Sequence, residues 1–173
     1  MRRTSFAEVH CSIAQSLEII GEWWTLLILR DAFLGIRRFD DFVDRLGIAR
    51  NVLTNRLTTL VDAGILERRV YDPARDRGDY ILTDKGRALW PVITSLRQWG
   101  DQWVLGAGNE PVLLEHREHG HITTATMTCD VCGEQLDAGS VRPVEGPGAT
   151  NTSPLPAGPD RPRKVRQADH SAG

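Results

Sequence analysis

Glycine placement constrains this chain more than any other feature. Gly21, Gly35, Gly47 and Gly64 each close a segment whose apolar residues recur at intervals of three and four, the spacing that lines up one face of a helix. "SIAQSLEIIG" begins with a cap-type residue, Ser12, and carries Ile13, Leu17 and Ile20 on one stripe. "EWWTLLILRDAFLG" predicts a more buried helix. "RRFDDFVDRLG" predicts a short one with Phe39, Phe42, Val43 and Leu46 inward, and "IARNVLTNRLTTLVDAG" a fourth built on Leu53, Leu57, Leu60 and Val61. The period then changes. "ILERRVY" and "DYILT" are rich in β-formers and flank the charged, turn-rich "DPARDRG", which predicts a hairpin with a long basic tip. "DKGRALWPVITSLRQWGDQWVLG" returns to helix, with a seam of Leu89, Val92, Ile93, Leu96, Trp99 and Trp103; Pro91 falls in its first turns, where proline is tolerated or kinks the helix.

Helix, glycine turn, helix, then a hairpin with a basic tip is the order of a winged helix-turn-helix. The fold class expected is mainly α with a small β-hairpin wing. The fourth helix would be the recognition helix. Between its leucines sit Arg50, Asn51, Thr54, Asn55, Arg56 and Thr58, with no acid among them. A helix that enters a major groove approaches phosphates, so acids are excluded from it. Arg suits guanine, Asn suits adenine, and Thr hydrogen-bonds or touches a thymine methyl. At 100° per residue from Leu53, Asn51, Asn55 and Thr58 point away from the core and are assigned to bases. Arg50, Thr54 and Arg56 flank them, as base or phosphate contacts. Arg37 and Arg38, at the start of the preceding helix, and Arg75 and Arg77, at the hairpin tip, are assigned to backbone or groove contacts. The competing reading is a solvated amphipathic helix, in a winged module that docks on protein and does not bind specific DNA.

Charge adds a condition. The net charge is −2, so any surface for nucleic acid must be local. No apolar run approaches the ~18–20 residues of a membrane helix, and no signal peptide is apparent. Three cysteines, only two of them close in sequence, argue against a disulfide framework and for a cytoplasmic setting. Three regions are expected: residues 1–106, a winged helix-turn-helix domain for DNA binding and dimerisation; residues 107–145, a small zinc-ribbon-like extension of strands and turns; and residues 146–173, a Pro/Gly/Ser-rich disordered tail.

Several motifs in order carry a family resemblance. "GEWWTLLILRDAFLGIRRFDDF", "GIARNVLTNRLTTLVDAGILERR" and "DYILTDKGRALWPV" together resemble the HxlR-type transcription regulators, a branch near the MarR winged-helix proteins. The resemblance runs from about Cys11 to Trp103. It implies a non-enzymatic homodimer that binds double-stranded DNA at an inverted repeat, with the first and last helices as the dimer surface. Repression is the default expectation, since a dimer seated on a promoter blocks polymerase. Two departures are local: Ala49 stands where many members have a capping Ser, and Asp79 where the wing often has Glu before Tyr.

Cys11 matches the family's N-terminal cysteine, which implies a candidate sensor for oxidants or electrophiles; the plainer reading is a small buried residue. Farther on, His116, His119, Cys129 and Cys132 form H-x2-H-x9-C-x2-C, a zinc-ribbon spacing with His121 as a substitute ligand. No cofactor is required, and a structural zinc is the one candidate; the alternative is a degenerate knuckle without metal. Trp23, Trp24, Trp99 and Trp103 suggest either an effector pocket for a small molecule or ordinary core and dimer packing, with packing favoured. As an enzyme the chain would rest on Cys129–Cys132 as a redox pair, which lacks the βαβ context such pairs need.

Overall fold

The computed structural model describes residues 5–149; most of the expected tail, residues 150–173, lies outside the described residues, as do residues 1–4. The chain divides into two compact units, Met1–Ala125 and Thr126–Gly173. The segment after Gly106 therefore contributes its first part to the first unit.

In that unit, α1 (Ser12–Ile20), α2 (Trp23–Phe33), α3 (Phe39–Leu46) and α4 (Arg50–Asp62) are followed by an antiparallel hairpin, β1 (Leu66–Asp72) and β2 (Arg77–Leu82). Then come α5 (Asp84–Arg87), α6 (Trp90–Gly100) and a π-helical turn, Asp101–Leu105, before a second hairpin, β3 (Leu114–His116) and β4 (His121–Thr123). Gly35, Gly47 and Gly64 end their helices with positive φ, whereas Gly21 has φ −74°. At Gly47 the φ of 61° turns the chain between α3 and α4, a conformation that costs glycine little.

The core forms where the predicted stripes meet. Ile28 and Leu29 of α2, Phe42 of α3, and Leu53, Leu57 and Leu60 of α4 are buried together with Ile48, Ile65 and Leu66. Each such side chain contributes roughly 1.5–3 kcal/mol by leaving water. One charge joins them. The Asp31 side chain is 0% exposed and takes Arg30 at 2.8 Å and Arg45 at 3.4 Å. Because Arg45 is on α3, this buried carboxylate links α2 to α3.

Three sequence expectations change. Ser12 is the first helical residue, and the cap position is Cys11, which makes no side-chain cap bond. The single long helix after the wing is two helices. α5 ends at Arg87 and α6 starts at Trp90 with Pro91 in its first turn, because proline has no N–H to continue the ladder from behind. The apolar seam consequently divides: Leu89 and Ile93 pack on the core, while Val92, Leu96, Trp99 and Trp103 are exposed.

Gly86 has a reason the sequence did not show. It is buried in α5, and a β-carbon there would overlap the Ile65 carbonyl oxygen. The Thr83 hydroxyl accepts from the Gly86 N–H (3.1 Å) and lies 2.7 Å from the Gly64 carbonyl oxygen, to which it donates. This close approach seats the end of the wing against the end of α4.

The second unit, described from Thr126 to Ala149, is built on a tight turn. Thr128 bridges Gln135, the Cys129 N–H donates to Glu134 O (2.8 Å), and the Gly133 N–H donates to Cys129 O (2.9 Å).

Candidate nucleic-acid interface

α4 carries its polar residues where the periodicity places them. Leu53, Leu57 and Leu60 are buried, and Asn51, Thr54, Asn55 and Thr58 are exposed. The Thr54 hydroxyl donates to Arg50 O at 2.9 Å, which leaves its oxygen free to accept. Asn51, Asn55 and Thr58 present amides and a hydroxyl to solvent without an acid in the first turn. The helix start is uncapped: Ala49 has the extended geometry of a cap residue, φ −62° and ψ 135°, but no side-chain acceptor.

The arginines separate into groups. Arg37, Arg38, Arg75 and Arg77 are exposed. Arg38 caps α3 by position, stands 5.7 Å from the Tyr71 ring centroid, and pairs through a β-bridge with Asp79. The Tyr80 N–H donates to Arg37 O at 2.8 Å. The segment before α3 thus lies along β2, so the wing and the start of α3 are held as one surface. Arg50 is exposed, sits 4.9 Å from the Phe39 ring centroid, and pairs with Asp40 at 2.7 Å. The pair is solvent-exposed and worth little, so a phosphate can displace it. Arg56 differs. It turns toward Glu22 at 3.7 Å with only 25% of its side chain exposed, and its Nε is buried with no hydrogen-bond partner among the described residues. Its place is between α4 and the start of α2, away from the exposed amides.

Sequence reasoning passed over Arg68. From β1 it donates to Asp76 O (2.6 Å) and Asp76 Oδ1 (2.8 Å) at the hairpin tip. The hydrogen bond to the Asp76 carboxylate raises the Arg68 pKa further above its already high ordinary value. Asp76 itself has φ 49°. A strand arginine three pairs from a turn gives no sequence signal of that reach; only the fold brings it to the tip that presents Arg75 and Arg77.

Known proteins resemble this chain in sequence and fold. The family described as HxlR-like helix-turn-helix matches residues 19–107, about half of the chain. The chain belongs to the HxlR-like helix-turn-helix family. Its relatives include Rv3095 of Mycobacterium tuberculosis, described as an uncharacterised HTH-type transcriptional regulator, which is 42% identical over 137 residues, 79% of this chain and 87% of the relative. Another, sll1512 of Synechocystis, carries the same description and is 35% identical over 54% of this chain and 70% of its own length. Among solved structures, PA1607, described as a proposed transcription factor, superposes with a TM-score of 0.73 at 34% identity, covering 83% of this chain and all of that one. PA1374 of Pseudomonas aeruginosa, described in the same terms, gives 0.60 at 38% identity, covering 82% and 97%. An HxlR-like protein is a transcriptional regulator with a DNA-binding helix-turn-helix domain, and the family is not one of enzymes.

The remaining candidates of this HxlR-like protein lie apart from α4. Cys11 is exposed at the head of α1; it is not the small buried residue of the plainer reading. Trp24 packs on the core, while Trp23, Trp99 and Trp103 are exposed. His116, His119 and His121 stack near-parallel at the β3–β4 turn, with ring centroids 4.6, 5.6 and 5.9 Å apart. Cys129 and Cys132 belong to the second unit. There the N–H groups of Cys132 and Val131, together with the Cys132 thiol, hydrogen-bond to Cys129 and hold its pKa below the ordinary thiol value. Gly133, at φ 74°, closes that turn. Among the described residues no group of three or more His, Cys, Asp or Glu is arranged to hold a metal ion. No helix of the described residues is long and apolar enough to cross a membrane.

Proposed function

We propose that this HxlR-like protein is a cytoplasmic homodimeric repressor that reads an inverted-repeat operator. The observation that carries this reading is the exposed, acid-free first turn and outer face of α4, set beside a wing whose position is fixed through Arg37 and Arg38. Asn51, Asn55 and Thr58 contact base edges, with Thr54 and Arg50 at their margin. Arg37, Arg38, Arg75 and Arg77 hold phosphates. Arg56 serves the α4–α2 junction. The dimer surface is formed by α1, α6 and the π-helical turn after it: Ile13 is 72% exposed, Trp99 58% and Trp103 68%, more apolar exposure than a lone subunit keeps without a partner. A two-fold pair places recognition helices about 34 Å apart, one DNA turn.

Fluorescence anisotropy on duplex tiles from upstream of the protein's own gene tests this, with a scrambled duplex as control at ~0.15 M salt. One tile is expected to bind about 10³-fold tighter than the scrambled duplex or more. Equal, weak binding to every tile and to an unbiased genomic selection would replace the regulator with a protein-docking winged module.

Signal reception is part of the same proposal. Cys11, exposed and at a helix start, is the candidate for oxidants and electrophiles; diamide is expected to weaken operator binding of the protein and leave Cys11→Ser unaffected. A structural zinc is supported by the H-x2-H-x9-C-x2-C spacing and by the amide-to-sulfur turn at Cys129. Elemental analysis of the full chain should then return one zinc per chain, lost in Cys129→Ser; a metal-free protein would make the cysteine pair a plain dithiol.

A further inference from the structure

A cleft of about 820 Å³ lies between the end of α2, strand β2 and the start of α6, within the size range of small-molecule sites. Phe33, Trp90 and Pro91 give it apolar walls, Tyr80 an aromatic one with a hydroxyl, and Arg37 and Arg87 its charge; no Asp or Glu lines it. The two arginines are not equivalent. Arg87 is engaged, donating to Leu82 O (2.6 Å) and Asp84 Oδ1 (2.7 Å). The Arg37 guanidinium has no ion-pair partner among the described residues. Trp90 is 42% exposed although it stands at the start of a helix packed on the core.

We propose that this cleft is the effector site of the regulator, and that it takes a flat aromatic monoanion, its ring against Trp90, Phe33 and Pro91 and its carboxylate on Arg37. Two features select that chemistry. Rings stack on rings and displace water from apolar walls, and an unpaired guanidinium binds a carboxylate by charge-assisted, bidentate hydrogen bonds. A neutral ring forgoes the second gain; a cation meets Arg37 and Arg87.

The cleft also has a route to DNA. Arg37 belongs to both sites, since it is a phosphate contact of the proposed regulator. A carboxylate seated on it competes with phosphate directly. The same residue's carbonyl accepts the Tyr80 N–H, and the next residue, Arg38, bridges Asp79, so a ligand against Tyr80 also bears on the hydrogen bonds that hold the wing to the start of α3. Ligand and operator are then linked reciprocally: each weakens the other. This inference rests on the regulator reading, but its first test does not.

Isothermal titration calorimetry of the full chain without DNA, using 2-naphthoate and the neutral 2-naphthylmethanol, is the experiment. Naphthoate should saturate one site per chain and bind at least tenfold tighter than the alcohol. Arg37→Gln should erase that preference. Ala88→Phe, at an exposed alanine of the lining, should fill the cleft and abolish binding while leaving scrambled-duplex affinity unchanged. Trp90→Leu, also at an exposed position, should weaken naphthoate at least fivefold and serves if Ala88→Phe does not fold. No saturable binding up to millimolar naphthoate, an unchanged affinity in both cleft variants, or a preference that survives Arg37→Gln would overturn the site. With DNA added, saturating naphthoate should flatten the salt slope by about one unit per protomer; an unchanged slope and affinity would leave a ligand site but overturn its role as effector. If no operator exists, the anisotropy tiles fail while the calorimetry still decides the site.

Discussion

Asp31 shows how a single residue's cost depends on its partners. Its carboxylate is fully buried, whereas Arg30 and Arg45 each keep about half of their side chains in solvent (47% and 48%). Removing both arginines leaves a buried charge uncompensated, so Arg30→Gln/Arg45→Gln should lose about 3–5 kcal/mol in urea unfolding. Asp31→Asn should lose less, because the released arginines simply return to water. Either single arginine variant should sit between, since the remaining guanidinium still serves the carboxylate. At Cys129 the direction of the pKa shift sets a pH prediction. Hydrogen bonds from the Cys132 and Val131 amides and the Cys132 thiol favour the thiolate, so the alkylation rate of metal-free protein should rise to its plateau at lower pH than that of an ordinary thiol. Cys132→Ala, which keeps the amide but removes the thiol donor, should shift that midpoint part of the way back up. On α4, Asn51→Ala or Asn55→Ala should cost about 1–3 kcal/mol on the operator and little on random DNA, while Arg77→Ala should weaken both and flatten the salt slope by about one unit. Equal losses on both DNAs for the asparagine variants would mean that this face does not read bases.

At the scale of elements, the beginning and end of α4 make opposite predictions. Its start has cap geometry without a cap, so Ala49→Ser should supply an acceptor for the first-turn N–H groups and raise stability by about 1 kcal/mol. Its end meets α5 through Gly86, where no β-carbon fits against Ile65 O. Gly86→Ala should therefore cost roughly 1–3 kcal/mol, although glycine to alanine inside a helix normally stabilises. A chemical-denaturation curve for each variant checks both signs. Periodicity made α1 to α4 legible because each has one apolar stripe and a glycine stop. It did not separate α5 from α6, because Leu89, Val92, Ile93 and Leu96 keep helical spacing across the break, and Pro91 is as compatible with a kink as with a new first turn.

For the whole molecule, the exposed residues of α1 and α6 are the decisive feature. Leu17→Glu or Leu96→Glu changes an exposed side chain, so the subunit should fold unchanged. By sedimentation the variant should run as a monomer and lose operator affinity, because two half-sites joined by a dimer bind far more tightly than one. A variant that stays dimeric would place the subunit contact elsewhere. The placement of the second unit's cysteine turn after a hairpin bearing three stacked histidines was visible as spacing; the stacking itself was not, since ring packing depends on strand register.

What the sequence determined by itself was the order of α1 to α4 and the wing, the inward stripes of α3 and α4, the outward amides of α4 and the basic tip of the wing. All of these follow from local rules: helical and strand periods, the φ that glycine allows, and the absence of acids where phosphate must approach. Tertiary structure decided which charges are available. It turned Arg56 toward Glu22, sank Asp31 between two arginines, sent Arg68 to Asp76 at the tip, and left the Arg37 guanidinium without an ion-pair partner among the described residues, in a cleft it shares with Trp90 between α2, β2 and α6. A side chain's free valence depends on neighbours far away in sequence, and no periodicity encodes them.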